Sequence, residues 1–327
     1  MRKIEVFNIP YLLLGAVNWG YIRMRLTIIG GAGAMGRWFA AFFKANGAEV
    51  RIVDTNANTG EIAKRLGVRF SNTDVLKEGE LNEEILNADV VLISVPIDIT
   101  ARVIERIGPK MHAGSLLMDI TTVKKMPVET MQRCTNAGVE ILGSHPLFGP
   151  STKSMQGQRV IFVPSKKGQL YERIYELFEG AGAKIELLTA AEHDEIMAVI
   201  QGLTHFVLIS FGIALKNLDF DVAKSRRYMN PMVAILMDFV GRLLHQDPHL
   251  SAQIQTNFEM GEIHEAFLSG ANRLFELVSA GNVEEFMAET RMAVRHFGDT
   301  ERSQIDSDKI IEEQINISSR KHNIGRR

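Results

Sequence analysis

Short runs of β-branched and aliphatic residues alternate with amphipathic stretches of helical period over the first half of the chain. The apolar runs predict strands at 26–30, 49–54, 89–96, 114–120, 139–143, 159–164 and 183–188. The amphipathic stretches predict helices at 34–46, 59–66, 98–107, 123–135 and 168–180. Because strands that alternate with helices are typical of βαβ units, we expect an α/β Rossmann domain with a mostly parallel sheet over residues 24–189.

The pattern changes after residue 190, where long stretches of helical period replace the alternation. Thr189 to Glu192 and Asn282 to Glu285 have the residue types of helix N-termini. The stretches at 194–218 and 229–245 are apolar on most faces, which is typical of helices buried on all sides. A domain of this size offers little else to cover them, so residues 190–300 are expected to form an all-helical dimerisation domain.

Both ends of the chain lie outside these two domains. Residues 1–23 have the basic start and apolar middle of a signal peptide, but Glu5, Asn8 and Pro10 interrupt the run, which is also too short to span a bilayer. We interpret them as an extension of uncertain order. The polar tail at 301–327 mixes both signs of charge and is expected to be frayed or disordered.

Charge and cysteine content narrow the class of partner. The 37 Lys and Arg against 39 Asp and Glu leave a formal net charge of −2, which favours a small-molecule partner over nucleic acid or a membrane surface. The single cysteine, Cys134, excludes an internal disulfide and agrees with a reducing cytoplasm. His245 and His249 are four residues apart, but Pro248 breaks the helix that would give this spacing meaning, so we predict no metal site.

A glycine-rich motif directly follows the first predicted strand and opens the first helix. Gly31, Gly33 and Gly36 form the GxGxxG pattern that is typical of dinucleotide-binding turns in this context. We assign the tight turn to Gly31, the approach of the pyrophosphate to Gly33, and close packing of helix on strand to Gly36. Ala34 and Met35 complete the turn, where the helix N-terminus offers unpaired N–H groups to phosphate.

The end of the second strand indicates which dinucleotide binds. Asp54 can accept hydrogen bonds from ribose hydroxyls and repels a 2′-phosphate, and the next two residues include no arginine that would bind one. We therefore expect NAD rather than NADP. Ligands of such sheets lie beyond the carboxyl ends of the strands, which places three more residues beside the cofactor: Ser94, Val95 and Pro96.

Two further segments follow predicted strands at the same edge, DITTVK at 119–124 and SHPLFGP at 144–150. His145 titrates near neutrality and can accept the proton of a substrate hydroxyl whose carbon gives up a hydride. A single histidine in a loop is also often structural, and its position alone does not decide between the two roles. Pro146 and Pro150 would hold this loop rigid, as a site of fixed geometry requires.

The order of five motifs resembles that of the prephenate dehydrogenase family from about Met24 to Asp299. These motifs are GGAGAMG, DITTVK, SHPLFGP, QGLTH at 201–205 and GRLLHQDP at 241–248. The resemblance implies an NAD-dependent oxidative decarboxylation of prephenate to 4-hydroxyphenylpyruvate in tyrosine biosynthesis. It also implies a homodimer through the helical domain, with each active site between the domains.

The resemblance also implies roles for individual residues. His145 corresponds to the catalytic histidine bonded to the ring hydroxyl, and Thr122 to a position where relatives often carry serine near the same hydroxyl. Arg242 corresponds to the arginine that binds a substrate carboxylate, and its planar guanidinium suits bidentate binding. His205 corresponds to a residue that lines the substrate pocket, and Gln201, four residues earlier, shares its helix face.

Some family positions differ in this chain. Certain relatives have a further histidine where Gly202 stands, and others have an arginine where Ala234 stands. These differences concern contacts to substrate or inhibitor rather than the fold. His193, in the EHDE segment at a helix start, we interpret as either a local capping residue or an interdomain contact.

Alternative functions remain open at this point. Arogenate dehydrogenase, in the same family, differs in whether the substrate side chain carries an amino or a keto group. Another Rossmann enzyme with a helical domain, such as a 3-hydroxyacid dehydrogenase or an imine reductase, would be expected to use lysine or another group in place of His145. A non-catalytic NAD-binding regulator would be expected to lack His145 or Arg242, and both are present.

Overall fold

The structure, a computed structural model, describes residues 24–79, 81 and 83–324. The extension expected at 1–23 lies outside the described residues. The chain divides into a first unit, which ends at Met197, and a second unit, which begins at Ala198.

The first unit is built on an eight-stranded sheet, whose strands are β1 (Arg25–Ile29), β2 (Glu49–Asp54), β3 (Arg69–Asn72), β4 (Val90–Ile93), β5 (Leu116–Asp119), β6 (Glu140–Pro146), β7 (Arg159–Lys166) and β8 (Lys184–Leu187). The spatial order is β3-β2-β1-β4-β5-β6-β7-β8, and neighbouring strands are parallel except for the antiparallel pair β6 and β7. The predicted mostly parallel α/β sheet is thus confirmed. Strand β3 is absent from the prediction because its sequence, RFSN, lacks an apolar run.

The helices of the first unit are α1 (Ala34–Ala45), α2 (Thr59–Leu66), α3 (Glu83–Leu86), α4 (Ile97–Ile107), α5 (Lys125–Cys134), α6 (Gln169–Gly180) and α7 (Ala190–Met197). Helices α1, α2, α4, α5 and α6 match the predicted ones to within two residues at each end. The single turn α3 has no counterpart among the predictions, since four residues are too few to show a helical period.

Aromatic side chains hold α1 in place. Phe39, Phe42 and Phe43 contact Phe178 of α6, with ring centroids between 5.4 and 6.2 Å apart. Phe162 of β7 lies 5.2 Å from Phe178 in an edge-on arrangement. Because α1 is anchored by this cluster, the glycine-rich turn that precedes it is fixed relative to the sheet.

The described residues from 198 to 324 form helices and loops without a strand, and those from 198 to 300 agree with the predicted all-helical domain. A π-helical turn (Ala198–Leu203) leads into α8 (Thr204–Asn217), α9 (Val222–Ser225), α10 (Pro231–Leu244), α11 (Pro248–Asn257), α12 (Gly261–Ser279), α13 (Val283–Phe297) and α14 (Thr300–Ile324). The prediction of a frayed or disordered tail was wrong over α14. Asp299 accepts the N–H of Arg302 at its start, and Asp306 pairs with Arg302 and Lys309 along its face, each at 2.8 Å.

The two helix starts predicted from sequence are confirmed. Thr189 and Glu192 form a reciprocal capping box, with 2.8 Å between the Thr189 N–H and the Glu192 carboxylate. The side chain of Asn282 accepts the N–H of Glu285 at 3.2 Å.

The two apolar helices of the second unit differ in burial, since α10 buries Met237, Val240 and Leu243 and α8 buries none of its residues. Helix α8 has no buried residue, so the predicted burial on all sides is not met within one chain. The helical run Ala190–Asn217 is also long and apolar enough to cross a membrane by length and composition, a test that core helices of soluble proteins pass as well. Burial of α8 against a second subunit stays a prediction.

Candidate active site

The tight turn after β1 covers residues 30–32, and its left-handed residue is Gly30 rather than Gly31, to which the sequence assigned the turn. Gly30 has a φ of +82°, and a Cβ there would lie 2.3 Å from the carbonyl oxygen of Ser94. Its N–H donates to the Val53 carbonyl at 2.8 Å. Gly31 is required for a different reason, since a Cβ on it would lie 2.5 Å from the Cβ of Ile52. The turn is therefore wedged between β2 and the end of β4.

The start of α1 presents free backbone N–H groups. Gly33, the exposed N-cap, has no side chain to bond them, so the first-turn N–H groups that include Ala34 and Met35 remain available to an anion. A Cβ on Gly36 would lie 2.4 Å from the Gly30 carbonyl oxygen. The predicted close packing at Gly36 is thus confirmed, and the geometry fits the pyrophosphate of a dinucleotide.

Asp54, the last residue of β2, ties this strand to the turn. Its carboxylate accepts the N–H of Ala32 at 2.9 Å and the N–H of Asn56 at 3.0 Å. The side chain is half-buried, and no lysine or arginine pairs with it in the described part of the chain. Each carboxylate oxygen retains a lone pair, so Asp54 can still accept hydrogen bonds from ribose hydroxyls.

The segment after β4 borders the same turn. The N–H of Ser94 donates to Ile29 at 2.8 Å, and the Val95 side chain would lie 3.0 Å from a Cβ on Gly30. Pro96 precedes α4 directly. Since the strand order reverses between β1 and β4, these residues flank the switch point at which α/β sheets bind ligands.

His145 lies within β6, where it pairs with Ile161 of β7, rather than in a loop as predicted. The antiparallel pairing to β7 continues the strand and leaves His145 only 5% exposed. The loop beyond it is held by Phe148, whose ring centroid lies 4.9 Å from that of Trp38, and by a 2.7 Å hydrogen bond from the Trp38 indole to the Thr152 carbonyl.

The imidazole of His145 is one of a buried pair. Its Nδ1 lies 2.9 Å from Nε2 of His193, and Nδ1 of His193 lies 2.7 Å from the Asp194 carboxylate. Burial lowers the pKa of His145 well below its ordinary value, and the neighbouring His193 and Lys124 lower it further. The expected titration near neutrality is thus shifted toward lower pH, which favours the neutral imidazole of His145.

The DITTVK segment folds around a buried ion pair. Lys124 and Asp119 are fully buried and in contact, and the Thr121 hydroxyl also bonds the Asp119 carboxylate. The Ser144 hydroxyl donates to the Asp119 carbonyl at 2.6 Å, which joins this segment to β6. Thr122 is half-buried, and its hydroxyl has no partner among the described residues. Such a hydroxyl is available to a ligand.

The predicted residues of the first unit share one edge of the sheet. Asp119 pairs with Gly143, so Thr122 and His145 both lie at or just beyond the carboxyl ends of β5 and β6. The glycine-rich turn, Asp54 and the Ser94 segment follow the carboxyl ends of β1, β2 and β4. The structure therefore places the glycine-rich turn, Asp54 and His145 along one edge of the sheet.

Two predicted residues of the second unit have unsatisfied polar atoms. The Gln201 Oε1 and the His205 Nδ1 are sealed from solvent without a hydrogen-bond partner in the described part, and burial lowers the pKa of His205. Gln201 lies in the π-helical turn, a rare geometry that often marks functional sites. A Cβ on Gly202 would lie 2.6 Å from the Met260 sulfur, so this chain fills with Met260 the space beside position 202.

Arg242 lies in the last turn of α10, exposed and without an ion-pair partner among the described residues. Helix α10 ends before His245 and α11 begins at Pro248, the break expected from the proline. No cluster of three or more potential metal ligands occurs in the described ranges. The predicted site residues thus fall into two groups, one on each unit.

The sequence-based site lacks three residues that lie near His145, namely Lys124, His193 and Asp194. His193 is not a helix cap, since Thr189 and Glu192 form the cap; it bonds His145, across the domain boundary predicted at residue 190 but within the first unit of the structure. Lys124 and His193 are fully buried, which their polar sequence context does not reveal. The available signal was the pairing of histidine with an adjacent carboxylate, Asp194, directly after a capping box.

Two family profiles match successive parts of the chain. The profile described as prephenate dehydrogenase, nucleotide-binding domain, matches residues 39–187, and the profile described as prephenate dehydrogenase, dimerization domain, matches residues 189–292.

Individual relatives agree with these profiles. A probable arogenate/prephenate dehydrogenase of Methanocaldococcus jannaschii is 36% identical over 294 residues, which are 88% of this chain and 64% of that protein. A 4-amino-4-deoxyprephenate dehydrogenase of Streptomyces pristinaespiralis is 30% identical over 271 residues, 82% of this chain and 90% of that protein. The fold is similar to that of prephenate dehydrogenase from A. aeolicus in complex with hydroxyphenyl propionate and NAD+, with a TM-score of 0.68, 18% identity, and coverage of 88% of this chain and 100% of that one. The chain therefore belongs to the prephenate dehydrogenase family.

Proposed function

We propose that this protein is an NAD-dependent prephenate dehydrogenase, which oxidatively decarboxylates prephenate to 4-hydroxyphenylpyruvate for tyrosine biosynthesis in the cytoplasm. The observation that carries the proposal is the buried imidazole of His145 at the same sheet edge as the glycine-rich turn. Family membership supports the substrate class, which includes prephenate and arogenate.

The turn residues would hold the cofactor. The first-turn N–H groups of Ala34 and Met35 suit the pyrophosphate, Gly33 lets the backbone come close to it, and the Asp54 carboxylate suits the ribose hydroxyls. A carboxylate at Asp54 repels a 2′-phosphate, and no cation offsets it among the described residues, which supports NAD over NADP. When bound, the nicotinamide accepts the hydride.

His145 has the task of accepting a proton. As the hydroxyl-bearing ring carbon of prephenate gives up its hydride, His145 takes the proton of that hydroxyl. The Thr122 hydroxyl would donate a hydrogen bond to the same oxygen. The bond to the ring carboxylate then breaks, carbon dioxide leaves, and the ring becomes aromatic. The proton returns from His145 to the phenolate oxygen, so the residue ends the cycle as it began. Aromatisation supplies the driving force, and the protein has only to position and polarise the substrate.

Three residues of the second unit are proposed to bind substrate. The guanidinium of Arg242 has no ion-pair partner among the described residues and is suited to bidentate binding of a carboxylate. Gln201 and His205 each have a polar atom without a hydrogen-bond partner in the described part of the chain, and we assign both residues to the substrate pocket from the family resemblance.

We also propose a homodimer through the helical domain. Large apolar side chains remain exposed on several helices of the second unit, among them Phe239 at 55%, Phe275 at 72% and Phe297 at 72%. Exposed apolar surface on this scale is typical of protein–protein interfaces, and the matching family profile is described as a dimerization domain.

The test is formation of reduced nicotinamide with prephenate and, separately, with arogenate, each supplied with NAD and with NADP. Turnover that is fastest with prephenate and NAD is the expected result. Faster turnover with arogenate would assign the protein to the alternative activity of the same family. No turnover with any of the four pairs would contradict the proposal.

A further inference from the structure

A buried chain of polar contacts runs from His145 to the start of α5. His145 Nδ1 lies 2.9 Å from His193 Nε2, and His193 Nδ1 lies 2.7 Å from Asp194. Asp194 in turn accepts the backbone N–H groups of Lys124 at 2.8 Å and Lys125 at 2.9 Å. We infer that His193 and Asp194 are positioning residues that fix the tautomer of His145. The inference rests on the proposed role of His145 as proton acceptor.

The proton positions follow from the anchored end of this chain. Burial acts to raise the pKa of Asp194, but hydrogen bonds from His193 and from the two backbone N–H groups bring it below its ordinary value. An ionised carboxylate only accepts hydrogen bonds. The Nδ1 of His193 must therefore carry a hydrogen, which it donates to Asp194.

Because His193 is neutral, the position of its hydrogen also fixes the position of the hydrogen on His145. Burial lowers the pKa of His193, against its hydrogen bond to Asp194, and the ammonium group of Lys124 lowers it as well. A neutral imidazole has a single N–H, so the Nε2 of His193 is an acceptor. The Nδ1 of His145 must then donate to it, which leaves the Nε2 of His145 without a hydrogen.

The bare Nε2 is the atom that the reaction needs. It has no hydrogen-bond partner among the described residues and, unlike the Nδ1 of His205, it is not sealed from solvent. The opposite tautomer would present a donor to the substrate hydroxyl and could not take its proton. Packing alone does not explain why these polar residues are buried. An apolar side chain at position 193 would fill the same space without the free-energy cost of burying an imidazole beside a carboxylate.

Nitrogen-15 NMR of the full-length protein, labelled at both ring nitrogens of histidine, reads the tautomer without any substrate. The signals of His145 are identified by their loss in His145→Asn. We expect a protonated Nδ1 and a bare Nε2. In Asp194→Asn the new amide can donate to His193, which permits the reverse order of hydrogens, so the two His145 signals should exchange or average. A hydrogen on the Nε2 of His145 in the unmodified protein would overturn the inference.

Steady-state kinetics separate positioning from structural support. For Asp194→Asn we expect kcat to fall by up to about 10⁴-fold, because replacing a carboxylate that orients a histidine by an amide allows the wrong tautomer to form. The KM for prephenate and the affinity for NAD should not change. Glu195→Gln is the matched control, because it makes the same change one residue further on at an exposed position. Its kcat should equal that of the unmodified protein.

His193 gives a second route should Asp194→Asn fail to fold. His193→Gln keeps an acceptor near the position of Nε2, whereas His193→Phe fills the space without one. We expect the glutamine variant to have the higher kcat by about tenfold or more, at equal KM. Equal kcat in the two variants, or a loss confined to KM, would overturn the inference. Failure of the proposed function shows separately, as absence of turnover by the unmodified protein, while the NMR result still tests the tautomer.

Discussion

The two units of the chain differ in how their buried polar groups are satisfied. In the first unit, the fully buried Lys124 is paired with Asp119, and the sealed atoms left unpartnered in its described part are one oxygen of Asp119 and the Nε of Arg106. In the second unit, polar atoms of Gln201 and His205 are sealed without a partner. Each unit thus leaves two such atoms, although the described part of the first unit buries twelve polar residues and that of the second unit buries only Ser251. This difference separates a preformed chemical edge from a binding surface.

Apolar burial follows the same division. Helix α1 buries much of one face in the first unit, including Trp38, Phe39, Phe42 and Phe43. Helix α8 of the second unit buries none of its residues, although its composition is strongly apolar. Helix α1 is therefore packed within its own unit, whereas α8 leaves apolar side chains that the proposed dimer would cover.

The largest expected effect comes from His145→Asn, which removes the base from the preformed edge. Proton transfer by a positioned side chain contributes about 10²- to 10⁴-fold, so we expect kcat to fall by that factor. NAD affinity should not change, because the glycine-rich turn and Asp54 do not depend on His145. His296→Asn, at an exposed position in α13, is the control. Unchanged kcat in His145→Asn would remove this residue from the mechanism.

How far the sequence predicted this edge depends on the range of the interactions. The glycine-rich turn and the capping box at Thr189 are local, and their residue types identify them. The contact between His145 and His193 joins residues 48 positions apart, and no local pattern reports it. The extension of β6 through His145 depends on pairing with β7, and the turn at Gly30 depends on the end of β4, so both were assigned wrongly from sequence.

The second effect in size concerns stability in the first unit. Lys124→Met leaves the Asp119 carboxylate buried without its cation, and breaking a buried pair in this way costs about 3–5 kcal/mol of unfolding free energy. Denaturant unfolding measures the loss. Lys110→Met, at an exposed position, should change stability little and serves as the control. A stable Lys124→Met variant would show that the ion pair is not needed for folding.

The third effect lies in the second unit, where we expect a substitution to weaken substrate binding without lowering stability. Gln201→Leu removes a sealed oxygen that has no partner, so we expect unfolding free energy to stay the same or rise slightly. We expect KM for the substrate to rise by about tenfold, the worth of one hydrogen bond to a ligand. Gln304→Leu, exposed on α14, is the control. Lower stability with an unchanged KM would mean that Gln201 belongs to the fold rather than to the binding surface.

The smallest effect is the acid sensitivity of the histidine pair in the first unit. The pKa values of His145 and His193 are both lowered in the folded protein, chiefly by burial. Below the ordinary histidine pKa of about 6.5, the unfolded chain therefore binds more protons than the folded chain does. Unfolding free energy should therefore fall as the pH falls from 7 to 6, by less than about 1 kcal/mol for each imidazole, and level off above pH 7. The groups that face the pair do not alter this sign: Lys124 favours the neutral imidazoles, while Asp119 and Asp194 oppose but do not reverse the effect of burial on His193.

Thermal unfolding at closely spaced pH values measures the slope, and His193→Gln, which removes one of the two imidazoles, should reduce it. A Tm that rises on acidification from pH 7 to 6 would show that the pair is charged in the folded protein, and would break the contrast between a preformed first unit and a second unit that awaits its ligand.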